Sequence, residues 1–145
     1  MAVRYTNTDT VGPRTPVQLP SSLSTVPRLA FMECRSLEKV EIPEYIFKIE
    51  YMAFYMCSNL REVTMGNGLV LIDDFAFAFS GLEQATVPST VKNIGSLAFY
   101  MCSFLKKVDI ESVSLKMYDF TFQGCSSMEE INFYGTSVEF ELNTF

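Results

Sequence analysis

The cysteines of this sequence have the widest chemical range of its residues, because a thiolate can attack an electrophile, bind a metal ion or form a disulfide. They are Cys34, Cys57, Cys102 and Cys125, separated by 23, 45 and 23 residues. Zinc sites draw on cysteines only a few residues apart, so this spacing predicts no metal site. A cysteine nucleophile needs a base beside it, and the sequence contains no histidine. The cysteines therefore indicate neither a metal centre nor a catalytic thiol.

The lack of histidine also excludes the Ser-His-Asp and Cys-His arrangements of hydrolases and every histidine metal site. No other acid–base or nucleophilic pattern is present, so we predict no catalytic residue, no enzyme activity and no cofactor. The 17 acidic and 11 basic residues give a net charge of −6 without a Lys/Arg run. That balance disfavours binding to nucleic acid.

The 145 residues, 48% of them hydrophobic and 14% aromatic, are enough for one domain with a buried core. Residues 1–16 are polar and rich in Thr and Pro, without the apolar core of a secretory signal. The longest apolar stretches are split by Asp73 and Asp74 and fall short of the roughly 18 residues of a membrane span. We therefore expect no export signal in this chain and no membrane span.

An internal repeat explains the spacing of the cysteines. Its most regular column is phenylalanine, with steps of 23, 23, 22, 23 and 23 residues. Alanine or threonine precedes each Phe, and a Cys or Ser follows three residues later in the complete repeats. A period of about 20–29 residues held over a whole chain predicts a solenoid. The column consists of Phe31, Phe54, Phe77, Phe99, Phe122 and Phe145.

Each repeat contains a Leu-x-x-Val-x-Ile unit, as at 105–110. Alternation points Val and Ile inward and their neighbours outward, so stacked copies predict one parallel sheet on the concave face. The rest of each repeat must cross the convex face and return. There we predict a turn at Pro88-Ser89, a short extended or 3₁₀ stretch over 91–94, and a single helical turn around 98–102. The phenylalanines should form an aromatic spine inside the solenoid.

The pattern from Val87 to Ile110, Ile-Pro-x-x-Val-x-x-Ile-Gly-x-x-Ala-Phe-x-x-Cys-x-x-Leu-x-x-Val-x-Ile with Val in the first place, resembles the BspA-type (Treponema pallidum-type) leucine-rich repeat family. The resemblance covers roughly 17–145, after a polar N-terminal segment or cap over 1–16. It implies a right-handed leucine-rich-repeat superhelix of α/β type with about six repeats of 22–23 residues. It also implies a non-catalytic scaffold for protein binding or adhesion, at the cell surface or secreted.

The last two repeats depart most from the regular pattern. Ser114 and Ser137 stand where other repeats have an apolar residue, so the last two repeats are the most degenerate.

Equivalent residues of stacked strands lie about 4.8 Å apart, which would bring cysteines of successive repeats together. A ladder of parallel side chains rarely has the dihedral angle of a disulfide, so we expect buried thiols rather than disulfides.

The outward side chains of the predicted concave sheet are candidates for binding a partner. The column after the repeat leucine alternates in charge, from Glu38 through Arg61, Glu83 and Lys106 to Glu129. Opposite charges on adjacent strands predict a ladder worth about 0.2–1 kcal/mol per pair. The next outward columns are polar and hold no aromatic anchor before the last position. These candidate partner-binding residues are Lys39, Glu41, Glu62, Thr64, Gln84, Thr86, Lys107, Asp109, Glu130, Asn132 and Tyr134.

The last repeat offers a second candidate surface, because a solenoid ordinarily needs a capping repeat with a polar outer face. We predict a C-terminally uncapped end that is buried against a second copy, a different chain or a continuation of the same protein. The alternative function is then a structural subunit of a larger assembly, docked through this end. Its candidate residues are Met128, Ile131, Phe133, Phe140, Leu142 and Phe145.

Overall fold

The structure, a computed structural model, describes residues 16–145 with the exception of Leu142. It is a parallel β-solenoid of about five turns with repeats of about 23 residues. Each repeat contributes a front strand, a series of turns along one edge and a back strand. The described residues contain no helix. The predicted leucine-rich-repeat solenoid is confirmed, while the predicted helical turn around 98–102 is replaced by consecutive turns.

The even-numbered strands form the front of the solenoid and the odd-numbered strands form the back. Alternating burial in the front strands follows from the Val-x-Ile pattern, with Val108 and Ile110 fully buried. The strands are β1 (Thr25–Val26), β2 (Lys39–Ile42), β3 (Lys48–Ile49), β4 (Glu62–Met65), β5 (Leu71–Ile72), β6 (Gln84–Val87), β7 (Asn93–Ile94), β8 (Lys107–Ile110), β9 (Ser114–Met117), β10 (Glu130–Phe133) and β11 (Ser137–Phe140).

The back strands form one six-stranded parallel sheet in the order β1-β3-β5-β7-β9-β11. The sequence predicted an extended or 3₁₀ stretch here, and the structure shows the extended form. The front strands form two separate sheets, β2-β4 and β6-β8-β10. Equivalent residues pair in register in both, for example Val40 with Val63 and Val108 with Ile131. The front therefore differs from the single sheet predicted from the sequence, because no ladder joins β4 to β6.

The break begins where the chain has one residue fewer than in the other repeats. Gly81 alone separates Ser80 from Leu82, whereas two residues separate Cys57 from Leu60. A Cβ atom at position 81 would lie 2.2 Å from the carbonyl oxygen of Ser58, a distance that only glycine avoids. The shortened connection thus brings the third repeat against the second at the start of β6.

The break persists at the other end of the strands because Pro88 has no N–H group. At the matching position of the second, fourth and fifth repeats the backbone N–H donates to the preceding repeat. Gly66 donates to the carbonyl of Ile42 at 2.8 Å and Glu111 to that of Val87 at 2.9 Å. Pro88 cannot donate in the same way to Met65. The pairing of β4 with β6 therefore lacks its closing hydrogen bond.

The turns along the edge contain residues in the left-handed backbone region. Ten non-glycine residues have positive φ, at two positions per repeat that flank the Ala-Phe pair, such as Leu97 (58°) and Met101 (54°). In the last repeat the first of these positions is Asn143, a residue type that tolerates this conformation. A left-handed residue interrupts helical geometry, which explains why turns replace the predicted helical turn. The backbone N–H groups of this edge bond to the next repeat instead, as Phe77 does to Ala98 at 2.8 Å.

The phenylalanine spine predicted from the sequence lies inside the solenoid. Successive rings are stacked nearly parallel, from Phe31 to Phe54 with centroids 5.0 Å apart to Phe122 and Phe145 at 6.1 Å. Phe54, Phe77 and Phe99 have no exposed surface. Offset or stacked aromatic contacts add to the burial of the rings themselves. The spine runs without interruption past the break in the front sheets.

The back of the fifth repeat follows a different path from the repeats before it. Ser114 is exposed where Val91 is buried, and the adjacent Leu115 fills the core instead. Ser112 is buried and its hydroxyl donates to the carbonyls of Val91 and Ser114. Because Leu115 and Met117 alternate inward, β9 extends over four residues where β7 has two.

The N-terminal end of the solenoid is covered by the segment before β1. Val17 bridges Val40, Leu19 is buried and Leu23 packs against the core. Residues 1–15 of the predicted polar cap lie outside the described part of the chain.

We expect Phe77→Ala to lower the free energy of unfolding by about 3–5 kcal/mol, because it leaves a cavity that the two neighbouring rings of the spine cannot fill. Phe145→Ala removes a ring that is 63% exposed and should lower it by about 1 kcal/mol or less. Urea denaturation of the two variants measures the difference. Equal losses would show that the rings do not act as a spine.

Left-handed φ angles are less unfavourable for glycine than for alanine by about 1 kcal/mol. We therefore expect Glu33→Gly, at φ of 60°, to be more stable than Glu33→Ala by about that amount. The side chain is lost in both variants, so their difference isolates the backbone. At Arg35, which does not have positive φ, glycine should be the less stable of the two. The same ranking at both positions in chemical denaturation would contradict a left-handed Glu33.

Candidate functional site

The eleven candidate residues of the predicted concave sheet all lie on the front of the solenoid, on β2, β4, β6, β8 and β10 or directly after β10. We call this surface the front face. Register pairing places Glu41 beside Thr64, and Thr86 beside Asp109. The columns predicted from the sequence are therefore real neighbours within each of the two front sheets, and the break between β4 and β6 separates them into two groups.

At the C-terminal side of the front face, polar side chains bond mainly to one another. Asn132 donates to the carboxylates of Asp109 at 2.9 Å and Glu130 at 2.7 Å. The hydroxyl of Tyr134 lies 3.4 Å from the same Asp109 oxygen, and Lys107 pairs with Asp109 at 3.2 Å. The hydrogen bond from Asn132 holds the pKa of Asp109 below its ordinary value, and Lys107 adds to this. This group is a satisfied network.

At the N-terminal side, Lys39 and Glu62 form an ion pair of 2.6 Å. Between the two groups, within the described residues, the side chains of Thr64, Gln84 and Thr86 make no hydrogen bond or ion pair. Glu41 on β2 likewise has no hydrogen-bond or ion-pair partner among the described residues, so three of the four such side chains of the front face lie at the break.

The alternating charge column is present in the structure. Among the described residues, however, only one pair of this column lies within ion-pair distance. Arg61 Nε is 3.9 Å from Glu83 Oε1. Arg61 also donates to the carbonyl of Gly81 at 3.0 Å, and its guanidinium lies over the ring of Phe104 at 4.8 Å. Arg61 therefore spans the shortened connection of the third repeat, and Phe104 comes from the fourth.

Sequence reasoning missed Arg61 and Phe104 as a joint feature. The signal was available, since the missing residue beside Gly81 brings the fourth repeat within reach of the second. Phe104 is 52% exposed, and aromatic and arginine side chains are the residue types most enriched at binding hot spots. Their position beside the front face places an aromatic anchor there that the sequence columns did not contain.

The predicted assembly end contains exposed aromatic side chains. Phe133, Phe140 and Phe145 are 37%, 47% and 63% exposed, and the ring of Phe140 contacts both of the others. Met128 and Ile131 are partly buried against the core. Leu142 lies outside the described residues.

All four cysteines are buried thiols. Three of them donate to a spine carbonyl of an earlier repeat, Cys57 to Phe31 at 3.0 Å being one example. Burial raises the pKa of the Cys57 and Cys102 thiols well above the ordinary value. A protonated, buried thiol is a poor nucleophile, so Cys57 and Cys102 act as packing and hydrogen-bonding residues.

Among the residues that the structure describes, no group of three or more His, Cys, Asp or Glu side chains is placed to hold a metal ion.

A search of the same residues finds no helix long and apolar enough to cross a membrane.

Comparisons with known proteins agree on the fold. A model of the BspA type leucine rich repeat region matches residues 24–145 in six copies. The solved T. pallidum leucine-rich repeat protein (TpLRR) is 26% identical with a TM-score of 0.60, over 89% of this chain and 74% of that one. A leucine-rich repeat protein from Bacteroides ovatus is 26% identical with a TM-score of 0.62, over 85% and 36% of the two chains.

The pneumococcal vaccine antigen PcpA has the same fold, at 24% identity and a TM-score of 0.56, over 72% of this chain and 31% of that one. The chain thus spans about a third of the length of the B. ovatus protein and of PcpA. No curated protein matches it.

Arg61→Glu would place three carboxylates in a row at 38, 61 and 83. We expect it to lower the free energy of unfolding by about 1 kcal/mol more than Arg61→Met, because like charges on adjacent strands repel. Urea denaturation at low salt and at about 1 M salt measures this, since high salt shortens the screening length to about 3 Å. An equal response of the two variants to salt would show that these side chains are not neighbours.

Proposed function

Because the chain belongs to the BspA-type leucine-rich repeat family, we propose that it is a non-catalytic scaffold for protein binding or adhesion. In this proposal the front face meets a protein or cell-surface partner. The observation that carries it is the group of exposed polar side chains at the break, Thr64, Gln84 and Thr86, which have no hydrogen-bond partner within the described part of the chain. Groups of this kind gain more from a partner than side chains already satisfied within the protein.

The flanks of the front face suit a recognition surface rather than a catalytic one. The Lys39–Glu62 pair and the Asn132–Asp109 network hold the surrounding side chains in fixed positions. A partner then meets a largely pre-formed surface, which lowers the entropy lost on binding. A location at the cell surface or outside the cell follows from the family resemblance and belongs to the same proposal.

The alternative is a structural subunit that docks through its C-terminal end. It is favoured by the exposed rings of Phe133, Phe140 and Phe145, since exposed aromatic clusters mark interaction surfaces. Light scattering over a range of concentrations separates the two functions. A monomer favours the binding scaffold, and a stable multimer that Phe133→Lys with Phe140→Glu disrupts favours the subunit.

A phage-displayed library of random peptides, panned on the wild-type chain, tests the binding scaffold. We expect enriched clones that lose at least ten-fold in affinity on Glu41→Arg or Thr86→Arg, two changes on the front face. The matched control is Thr136→Arg, an exposed position in the connection between β10 and β11, which should leave binding unchanged. No enrichment, or clones sensitive only to Thr136→Arg, would contradict binding through the front face.

A further inference from the structure

Two adjoining cavities open on the front face, the first along β4 and β6 and the second across the starts of β4, β6 and β8. The first is about 300 Å³ in volume, with Val63 and Ala85 among its lining residues and Thr64 and Thr86 from the two strands. The second is about 390 Å³ and is lined by charged residues at the start of the strands, including Arg61, Lys106 and Lys107. Both are lined by Glu62 and Gln84. We call the two together the β4–β6 groove.

Three features of the chain lie along the groove. The missing residue at Gly81 and the missing N–H at Pro88 separate the strands, although a proline also occurs at the matching position 43 of the first repeat. Phe104 supplies an exposed ring beside Arg61. Gly81 and Phe104 both contact Arg61 at one end of the groove, and Pro88 lines the other end.

The groove contains polar groups that the protein itself does not use. In the described part of the chain, the side chains of Thr64, Thr86, Asn67 and Glu111 have no hydrogen-bond or ion-pair partner. The carbonyl of Met65 lacks the N–H donor that the matching carbonyls of Ile42 and Val87 have, because Pro88 has no N–H group. A ligand that supplies both donors and acceptors along a line would satisfy them, as the backbone of an extended peptide does.

Charge is distributed unevenly along the groove. The second cavity is lined by three cationic groups against the two carboxylates of Glu62 and Glu83. The first is lined by the carboxylates of Glu62 and Glu111 and by no Lys or Arg. Lys106 forms no ion pair with another described residue. The cationic end lies at Arg61 and Lys106 and the acidic end at Glu111, which is five residues beyond Lys106, or about 17 Å at the rise of a strand.

We propose that the β4–β6 groove binds an extended peptide segment of a protein partner, with a carboxylate at Arg61 and Lys106 and a cationic side chain at Glu111. The inference rests on the proposed function and assigns its ligand class. The bound segment carries its two charges about six residues apart, because side chains an even number of residues apart lie on the same face of an extended chain and six residues cover the length of the groove. Thr64 and Thr86 bond to its backbone, and Phe104 packs against its acidic end.

Three synthetic peptides with blocked ends test the ligand class by fluorescence anisotropy. They are Asp-Thr-Val-Thr-Val-Thr-Lys, its reverse Lys-Thr-Val-Thr-Val-Thr-Asp, and the neutral Asn-Thr-Val-Thr-Val-Thr-Gln. We expect one charged peptide to bind at least ten-fold more tightly than the neutral one, its order giving the direction of the bound chain. If neither charged peptide exceeds the neutral one, the proposal is overturned.

Two variants test the place of binding. Pro88→Ala supplies, without adding a charge, an N–H group that can close the ladder to Met65, visible as a protected amide in hydrogen exchange. Thr86→Arg fills the first cavity with a side chain, whether or not the ladder closes. We expect each variant to lower the affinity for the charged peptide at least ten-fold, while Thr136→Arg leaves the affinity unchanged. Unchanged binding to Thr86→Arg overturns the groove as the site.

The outcomes distinguish the groove from the broader function. If library clones respond to Glu41→Arg but not to Thr86→Arg, the front face still binds proteins and the groove does not. If the wild-type chain dimerises with concentration and Thr86→Arg abolishes the dimer, a second copy fills the groove and the peptide proposal is wrong.

Discussion

The backbone hydrogen bond from each spine phenylalanine to the next repeat is the interaction on which the rest of the solenoid depends. Phe N–H groups donate to the residue before the next phenylalanine at 2.8–3.0 Å across all five steps from Phe31 to Phe122. This bond fixes the offset between repeats, so the rings stack and the cysteine thiols reach the phenylalanine carbonyls. It also explains why strained left-handed residues persist on both sides of it, because they turn the flanking N–H groups toward the next repeat.

The fold and the proposed binding surface use different parts of each repeat. The spine, the edge turns and the back sheet continue unbroken from end to end, so the front strands can separate without loss of the fold. Most charged groups of the front face are paired with one another, as Lys39 is with Glu62. Among the described residues of this face, Glu41 on β2 is a charged group without such a partner. In the proposed function, binding at this surface depends on the short third repeat and on the lack of an N–H group at Pro88.

The regular part of the molecule could be predicted from the sequence, because periodic burial leaves a periodic pattern. Phe77, Val108 and Ile110 lie inside as their columns require. The left-handed edge could not, since residues as different as Glu33 and Phe75 adopt it and the residue type does not reveal the sign of φ. The sequence also did not predict that Leu115 rather than Ser114 fills the core. There the inward–outward alternation along the strand and the position within the repeat point to different residues. The β4–β6 groove depends on side chains two repeats apart, which a column-by-column reading does not compare.

The break in the front sheets also affects how the solenoid unfolds. In a repeat protein, stability is close to a sum of terms for each repeat and for each contact between neighbours. The contact between the second and third repeats keeps the spine and the back sheet but lacks the front ladder. Cooperativity is therefore weakest there, and the chain behaves as two coupled blocks that meet between β4 and β6. A partly unfolded state with one block intact is more populated than it would be in a uniform array.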